Sequence, residues 1–304
     1  MKALKGLWPG LMVGLAAMVV LTAGPAAATP LPPGVAAMID AAANDPATLK
    51  TVVTVAKKAN PGSTAEIDAQ VAALGEKSAA AKAERLATQS IYQGWTGKGQ
   101  VGLYSHSGNT NDGGIAVGLN LDKDGLRWRH IVSFLADYQQ ENGKPTKEKY
   151  SAGYEADYKF TKRFYGYGVL YGEQDIFASI QSRFSESLGV GYRVIDRKTM
   201  TLGLEAGPAI RQTAYIGAPS LDTVDIRLAG NFSWTFWDNT TFTQTAWTYL
   251  EHRNPTLNAS TALTTKLQKG ISARASFDVT HEGDPAPGRE RTDTTSRLTL
   301  VFNF

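Results

Sequence analysis

The chain has 304 residues, no cysteine, 31 basic against 28 acidic side chains and a formal net charge of +3. Without thiols it has no disulfides and no thiolate metal sites. A charge so close to neutral is no electrostatic footprint for nucleic acid, so a nucleic-acid partner is excluded as an expectation.

The N-terminus reads as a secretory signal peptide over residues 1–28. Lys2 and Lys5 form a positive start, an apolar run follows from Leu11 to Leu21, and Pro25-Ala26-Ala27-Ala28 supplies small residues for cleavage. The apolar run is shorter than the roughly 18 residues of a spanning helix, and Gly and Pro follow it directly. Removing residues 1–28 takes away two lysines and no acid, which leaves 29 basic and 28 acidic side chains. No later segment is apolar enough for a spanning helix. A membrane form of this chain therefore has to be a closed barrel, the other structure that satisfies its backbone in lipid.

Residues 29–91 form a separate region, rich in Ala and, over 30–90, without Tyr or Trp. Apolar residues recur at helical spacing in Val35, Met38 and Ile39, then Leu49, Val52, Val53 and Ala56, then Ile67, Val71 and Leu74. Pro32-Pro33, Asn44-Asp45-Pro46 and Asn60-Pro61-Gly62 punctuate them, and Pro46 and Pro61 suit first-turn positions. Two or three short helices are predicted, packed together, on the barrel mouth or on a periplasmic partner, or serving as a solvated tether.

From residue 92 onward the period becomes two. Tyr150, Ala152, Tyr154, Ala156, Tyr158 and Phe160 alternate with Ser151, Gly153, Glu155, Asp157 and Lys159. The stretch 224–236 repeats the pattern, with one apolar, aromatic face and one polar face. Twelve antiparallel strands are predicted at 94–106, 112–122, 126–139, 148–160, 163–174, 180–195, 199–213, 222–236, 240–252, 259–269, 271–281 and 291–304. They exceed the usual 5–6 residues of soluble strands and suffice for a tilted membrane strand of about 9–11. Short connections interleave with longer ones at 107–111, 140–147, 175–179, 214–221, 253–258 and 282–290. That sorting is expected of periplasmic turns and extracellular loops, with both termini periplasmic. The fold class is thus mainly β: an antiparallel transmembrane barrel of about 12 strands over residues 92–304, preceded by the helical segment.

The last strand carries Leu298, Leu300, Phe302 and Phe304 on one face and stops on an aromatic. This resembles the carboxy-terminal signal read by the barrel-assembly machinery of bacterial outer membranes, which is expected as a partner beside outer-membrane lipid and lipopolysaccharide. Interfacial aromatics are expected at one end in Trp95, Trp128, Tyr158, Phe164, Tyr192, Trp234 and Phe302. At the other end they are Tyr104, Tyr138, Tyr150, Tyr171 and Tyr249.

Gly94-Trp95-Thr96-Gly97-Lys98-Gly99 and Ser107-Gly108-Asn109-Thr110 resemble the opening of the salt-induced outer-membrane protein family, whose domain function is uncharacterised. Trp128-Arg129-His130, Glu148-Lys149-Tyr150, Arg163-Phe164-Tyr165 and Gly189-Val190-Gly191-Tyr192-Arg193 continue the likeness over roughly 94–304. The resemblance implies an outer-membrane barrel linked to salt or osmotic stress, and it carries over no catalytic residues.

Little in the chain points to an enzyme. His106, His252 and His281 are expected near the extracellular rim with Glu251, Asp278, Glu282 and Asp284, so a rim hydrolase or a His252–His281 metal pair is conceivable. No H-E-x-x-H, G-x-S-x-G or Cys nucleophile is present. The oxygen-rich Gly108–Asp112 stretch lacks the spacing of an EF-hand loop and reads as a turn. No cofactor or metal is implied.

Projected by parity, the inward face carries Lys98, Arg129, Asp137, Glu155, Asp157, Lys159, Asp225, Arg227, Arg274, Asp293 and Arg297, joined by Arg127, Arg183, Arg193 and Asp278. Charges are costly toward lipid, so the interior is where a barrel puts them. Glu186 and Glu205 break the parity, as at a bulge, a rim position or a misread register. A mixed-charge interior suits two functions. One is a narrow channel for small polar or ionic solutes, since barrel diameter grows with strand number. The other is a closed structural or envelope-binding barrel plugged by its own ion pairs.

Overall fold

A computed structural model describes residues 30–107, 113–141, 144–252, 254–286 and 288–304. The expected signal peptide at 1–28 and the Gly108–Asp112 stretch lie outside the described residues, as do the side chains of Tyr104, His106, Glu141 and Lys144. By its internal contacts the chain divides into two units that meet at residues 82–83.

The first unit is helical: α1 (Pro33–Ala41), α2 (Pro46–Ala59), a 3-10 turn (Pro61–Ser63) and α3 (Thr64–Thr88). Asp45 caps α2. Its carboxylate accepts from the Ala47 amide at 3.0 Å and from the Thr48 hydroxyl at 2.5 Å, and the Thr48 bond holds its pKa below the usual range. Pro46 then occupies the first turn, where a missing N–H costs nothing. Ile39, Ala56 and Ile67 form a small apolar core, flanked by Val35, Leu49, Val52, Val53, Val71 and Leu74. Met38 is the member of the helical pattern that stays exposed.

The second unit is a closed antiparallel barrel of twelve strands, each paired with its neighbours in sequence. They are β1 (Trp95–Ser107), β2 (Gly113–Asp124), β3 (Trp128–Glu141), β4 (Lys144–Lys159), β5 (Phe164–Asp175) and β6 (Ile180–Asp196), then β7 (Met200–Tyr215), β8 (Leu221–Trp237), β9 (Thr240–Leu250), β10 (Thr256–Gln268), β11 (Ile271–Glu282) and β12 (Thr292–Asn303). Strand β12 closes the ring on β1 from Lys98 opposite Asn303 to Ser107 opposite Thr294. Closure leaves no edge strand with unpaired amides.

The usual burial rule is inverted. Leu103, Leu188, Val224 and Leu298 are each at least two-thirds exposed on the outer face, while Asp137, Arg211 and Asp225 are almost fully buried. One end of the barrel, joined by the connections at 125–127, 160–163, 197–199, 238–239 and 269–270, is called the turn end below, and the other the loop end. Outward aromatics gather at the turn end. Trp128 meets Tyr158 edge-on at 5.0 Å, Tyr158 meets Phe160 at 5.2 Å and Phe160 stacks on Phe164 at 5.4 Å.

Three expectations are corrected. The 140–147 segment is no long loop: β3 and β4 pair through Gln139–Lys147 and Glu141–Lys144 across a bulge, so 142–143 alone join them. Its polar composition marks where the ladder leaves the apolar belt, and backbone pairing continues past it. The 176–179 connection is likewise no longer than the turn at 160–163. Tyr171 and Tyr249, expected among the interfacial aromatics, point inward: Tyr249 is buried and both line interior cavities. Glu205 lies on the buried face of β7, whereas Glu186 stands exposed on the outer face of β6 between Phe184 and Leu188. No register shift occurs at either glutamate.

The seam between first and last strands ends in a reciprocal pair. The Gly97 amide donates to the Phe304 carbonyl at 2.7 Å, and the Phe304 amide donates back to Gly97 at 3.0 Å. A Cβ on Gly97 would lie 2.1 Å from the Phe304 ring, so only glycine lets the terminal aromatic cover the seam. Gly97→Val should therefore cost about 1–3 kcal/mol. On unboiled gels the compact form should convert to the extended one at a lower temperature. Gly99→Val, whose Cβ would sit 3.9 Å from the same ring, should change little.

Candidate functional site

Among the described residues polar chemistry concentrates in the interior of the barrel, and its layers follow from strand register. Near the turn end, Arg129 on β3 reaches Asp122 on β2 at 3.2 Å and Asp157 on β4 at 3.5 Å. Lys159 pairs with Asp124 and donates to the Gly125 carbonyl at 2.9 Å. The Arg129 pairs join neighbouring strands, the sheet counterpart of helical i,i+4 pairs, whereas Lys159 on β4 reaches past β3 to the end of β2.

In the middle layer Glu205 accepts from the Tyr165 hydroxyl at 3.0 Å and from Arg227 at 2.9 Å. The Arg227 guanidinium also lies 5.1 Å from the centre of the Tyr167 ring. Arg211 lies 4.9 Å from the Tyr249 ring centre, 3.7 Å from Asp225, and donates to Thr256 on β10 at 3.0 Å. Glycines make room for these rings. A Cβ on Gly191 would lie 2.2 Å from Tyr165 and one on Gly189 2.7 Å from Tyr167. Each glycine stands directly opposite its tyrosine in the β5–β6 register.

Toward the loop end Arg183 on β6 forms a two-pronged bridge to Glu282 on β11, at 2.6 and 3.2 Å. Strands β6 and β11 stand five positions apart in a ring of twelve, nearly opposite, so this bridge crosses the lumen. Glu173 at 3.0 Å and Asn254 at 2.8 Å hold its two ends. Beside it Lys149 meets Glu173 at 3.5 Å and Asp175 at 3.3 Å. Arg297 meets Asp137 at 2.7 Å and Asp278 at 2.5 Å.

Space remains around these groups. One cavity of about 350 Å³ is lined by Asp137, Lys149, Arg183, Arg274, Asp293 and Arg297 among others. A second of about 250 Å³ is lined by Glu155, Arg227, Trp247 and Tyr249. They share Ser133, Tyr171, Thr245 and Trp247, which form the partition between them. Both Asp225 carboxylate oxygens, Asp137 Oδ1, Ser187 Oγ and Arg211 Nε have no hydrogen-bond partner among the described protein atoms. In a dry core each would cost about 1–3 kcal/mol, whereas in a hydrated lumen they cost little.

Of the charged residues named from the sequence, Arg129, Asp137, Asp157, Lys159, Asp225, Arg227 and Arg297 join ion pairs. Glu155, Arg274 and Asp293 line the cavities. Lys98 is exposed on β1, opposite Asn303 and Asn120. The sequence reading missed Lys149, Glu173, Asp175, Glu205, Arg211 and the bridging role of Glu282. The signal was present in β5, where Tyr165, Tyr167 and Tyr171 share parity with Glu173 and Asp175 while Gly166, Gly168 and Gly172 face out. Treating aromatics as outward hid it.

Among the described residues the histidines do not converge. His130 stacks on the outer face between Trp128 and Tyr154, and its Nδ1 lies 2.9 Å from the Tyr154 hydroxyl. His281 is bonded to Thr292 at 2.8 Å, and no group of three metal-ligating side chains occurs among the described residues. In the 251–255 connection burial pushes the Glu251 carboxyl above its usual range, with no histidine contributing.

Residues 99–304 match the family described as "Protein of unknown function, DUF481", and the chain belongs to it. No curated protein matches. Among solved structures the chain is similar to the NanC porin, at 11% identity and a TM-score of 0.49, over 68% of this chain and 100% of that one. It is similar to the outer membrane channel DcaP of Acinetobacter baumannii at 7% identity and 0.40, over 69% and 96%. For the translocator domain of the autotransporter NalP of Neisseria meningitidis the values are 11% and 0.40, over 77% and 96%. Likenesses this distant carry no argument about activity.

The middle-layer pair is open to a direct test. Arg227→Leu leaves Glu205 buried with only the Tyr165 hydroxyl and should lower stability by about 2–4 kcal/mol in urea unfolding of the refolded protein. Glu205→Leu in the same chain should restore much of the loss, because the uncompensated charge goes with it.

Proposed function

We propose that this member of the DUF481 family is an outer-membrane barrel whose interior is a narrow, ion-lined channel for small polar or charged solutes. The observation that carries the reading is the inversion of the two faces. The outer face presents large apolar side chains that favour lipid over water, and the inner face holds charges around two cavities. Export by the segment at 1–28 and recognition of Leu298, Leu300, Phe302 and Phe304 by the barrel-assembly machinery would bring it there. The turn end and both termini then face the periplasm, with the helical unit offered to a periplasmic partner and the loops facing lipopolysaccharide. Salt or osmotic stress is the inducing condition that the family resemblance suggests.

One observation favours a second reading, a closed structural barrel: the Arg183–Glu282 bridge spans the lumen and its ends are held by Glu173 and Asn254. Planar-bilayer recording of the refolded protein separates the two. Small, reproducible conductance steps are expected from the wild type, and Glu282→Gln, which removes one charge of the bridge, should enlarge them or lengthen the open time. Silence from both proteins, each verified as folded by its heat-modifiable mobility, would overturn the channel in favour of the closed barrel.

A further inference from the structure

Most of the buried cations inside the barrel are committed to a carboxylate. Arg129, Lys159, Lys149, Arg183, Arg227 and Arg297 each have an acidic partner within 3.5 Å. Arg274 on β11 is different. It lines the 350 Å³ cavity and has no ion-pair or side-chain hydrogen-bond partner among the described residues. The nearest acid along its strand, Asp278, is engaged by Arg297 at 2.5 Å and by the Ser276 hydroxyl at 3.3 Å.

The surroundings of Arg274 are hydroxyls, placed there by register. Thr264 on β10 and Thr299 on β12 stand directly opposite it on either side. Ser272 and Ser276 precede and follow it on the same face of β11. Small hydroxyl side chains donate hydrogen bonds without bringing negative charge and leave space above a guanidinium. A guanidinium presents paired N–H donors in a plane, the arrangement that a carboxylate accepts two at a time.

We propose that Arg274, with the hydroxyls around it, is a binding site in the lumen for the carboxylate of a small organic anion. The site rests on the reading of the interior as a solute path, since a carboxylate has to reach the cavity. It deepens that reading by naming the class of solute. The favourable step is the exchange of the solvated guanidinium for a two-pronged ion pair in a confined, hydroxyl-lined space.

The test uses the full refolded chain in detergent and two solutes of equal size, sodium glutarate and its neutral diamide, glutaramide, titrated calorimetrically. Glutarate is expected to bind saturably and glutaramide not at all. Arg274→Gln should weaken glutarate binding about ten- to a hundred-fold. Arg274→Lys should keep part of it as a point charge, and Arg163→Gln, at an exposed turn, should leave it unchanged. Heat-modifiable mobility certifies that each variant is folded. Equal binding by wild type and Arg274→Gln, or equal binding of the diamide, overturns the site. If bilayers record no current while glutarate still binds through Arg274, the channel fails and the site stands. If current flows and glutarate does not bind, the site alone fails.

Discussion

Closure of the ring is the constraint on which the rest of this structure depends. Each strand of the barrel finds its hydrogen-bond partners only in its two neighbours, and β1 finds its second neighbour in β12. A sheet left open would present a row of unpaired amides, which neither lipid nor a stable monomer tolerates. The reciprocal bonds of Gly97 with Phe304 extend this seam, and the Phe304 ring lies over the glycine next to it.

Once closed, the barrel separates two solvents by parity alone. Along β6 the outer face reads Phe184, Glu186, Leu188, Val190 and Tyr192, while Arg183, Ser185 and Ser187 are buried within. The consequence is an interior whose charges must be satisfied by one another, because no apolar core exists there to exclude them. Most are satisfied by the strand next door, as Arg129 is by Asp122 and Asp157. Arg183 instead reaches almost to the opposite wall, where it bridges to Glu282.

The strand pattern was legible because period-two alternation follows from backbone geometry, which no tertiary contact can override. All twelve strands were placed. Loop lengths were less legible. Gln140, Glu141 and Lys147 read as loop by polarity, yet a ladder that has left the apolar belt still pairs its backbone there. The interior was legible by parity only where one assumption held, that aromatics face out. On β5 it failed, since Tyr165 and Tyr167 turn inward over Gly191 and Gly189, and the charges in phase with them, Glu173 and Asp175, were lost with them. Ion pairs between distant strands, such as Arg183 with Glu282, have no local signature. They depend on ring size and stagger, which a single sequence does not print.

The lumen is eccentric in what fills it. The wall of β4 to β8 carries tyrosines folded over glycines and a dense set of mutually neutralised charges. The wall of β9 to β12 brings small side chains, among them Thr245, Ser260 and Ser276, to the larger cavity beside Trp247 and Arg274. A bulky, self-satisfied wall sets the bore, and a wall of small hydroxyls sets the surface a solute meets. On such a surface one uncommitted charge outweighs several paired ones, because a paired charge presents to a passing ion little more than a dipole. In the proposed channel a solute would therefore feel Arg274 more than the balance of the paired charges.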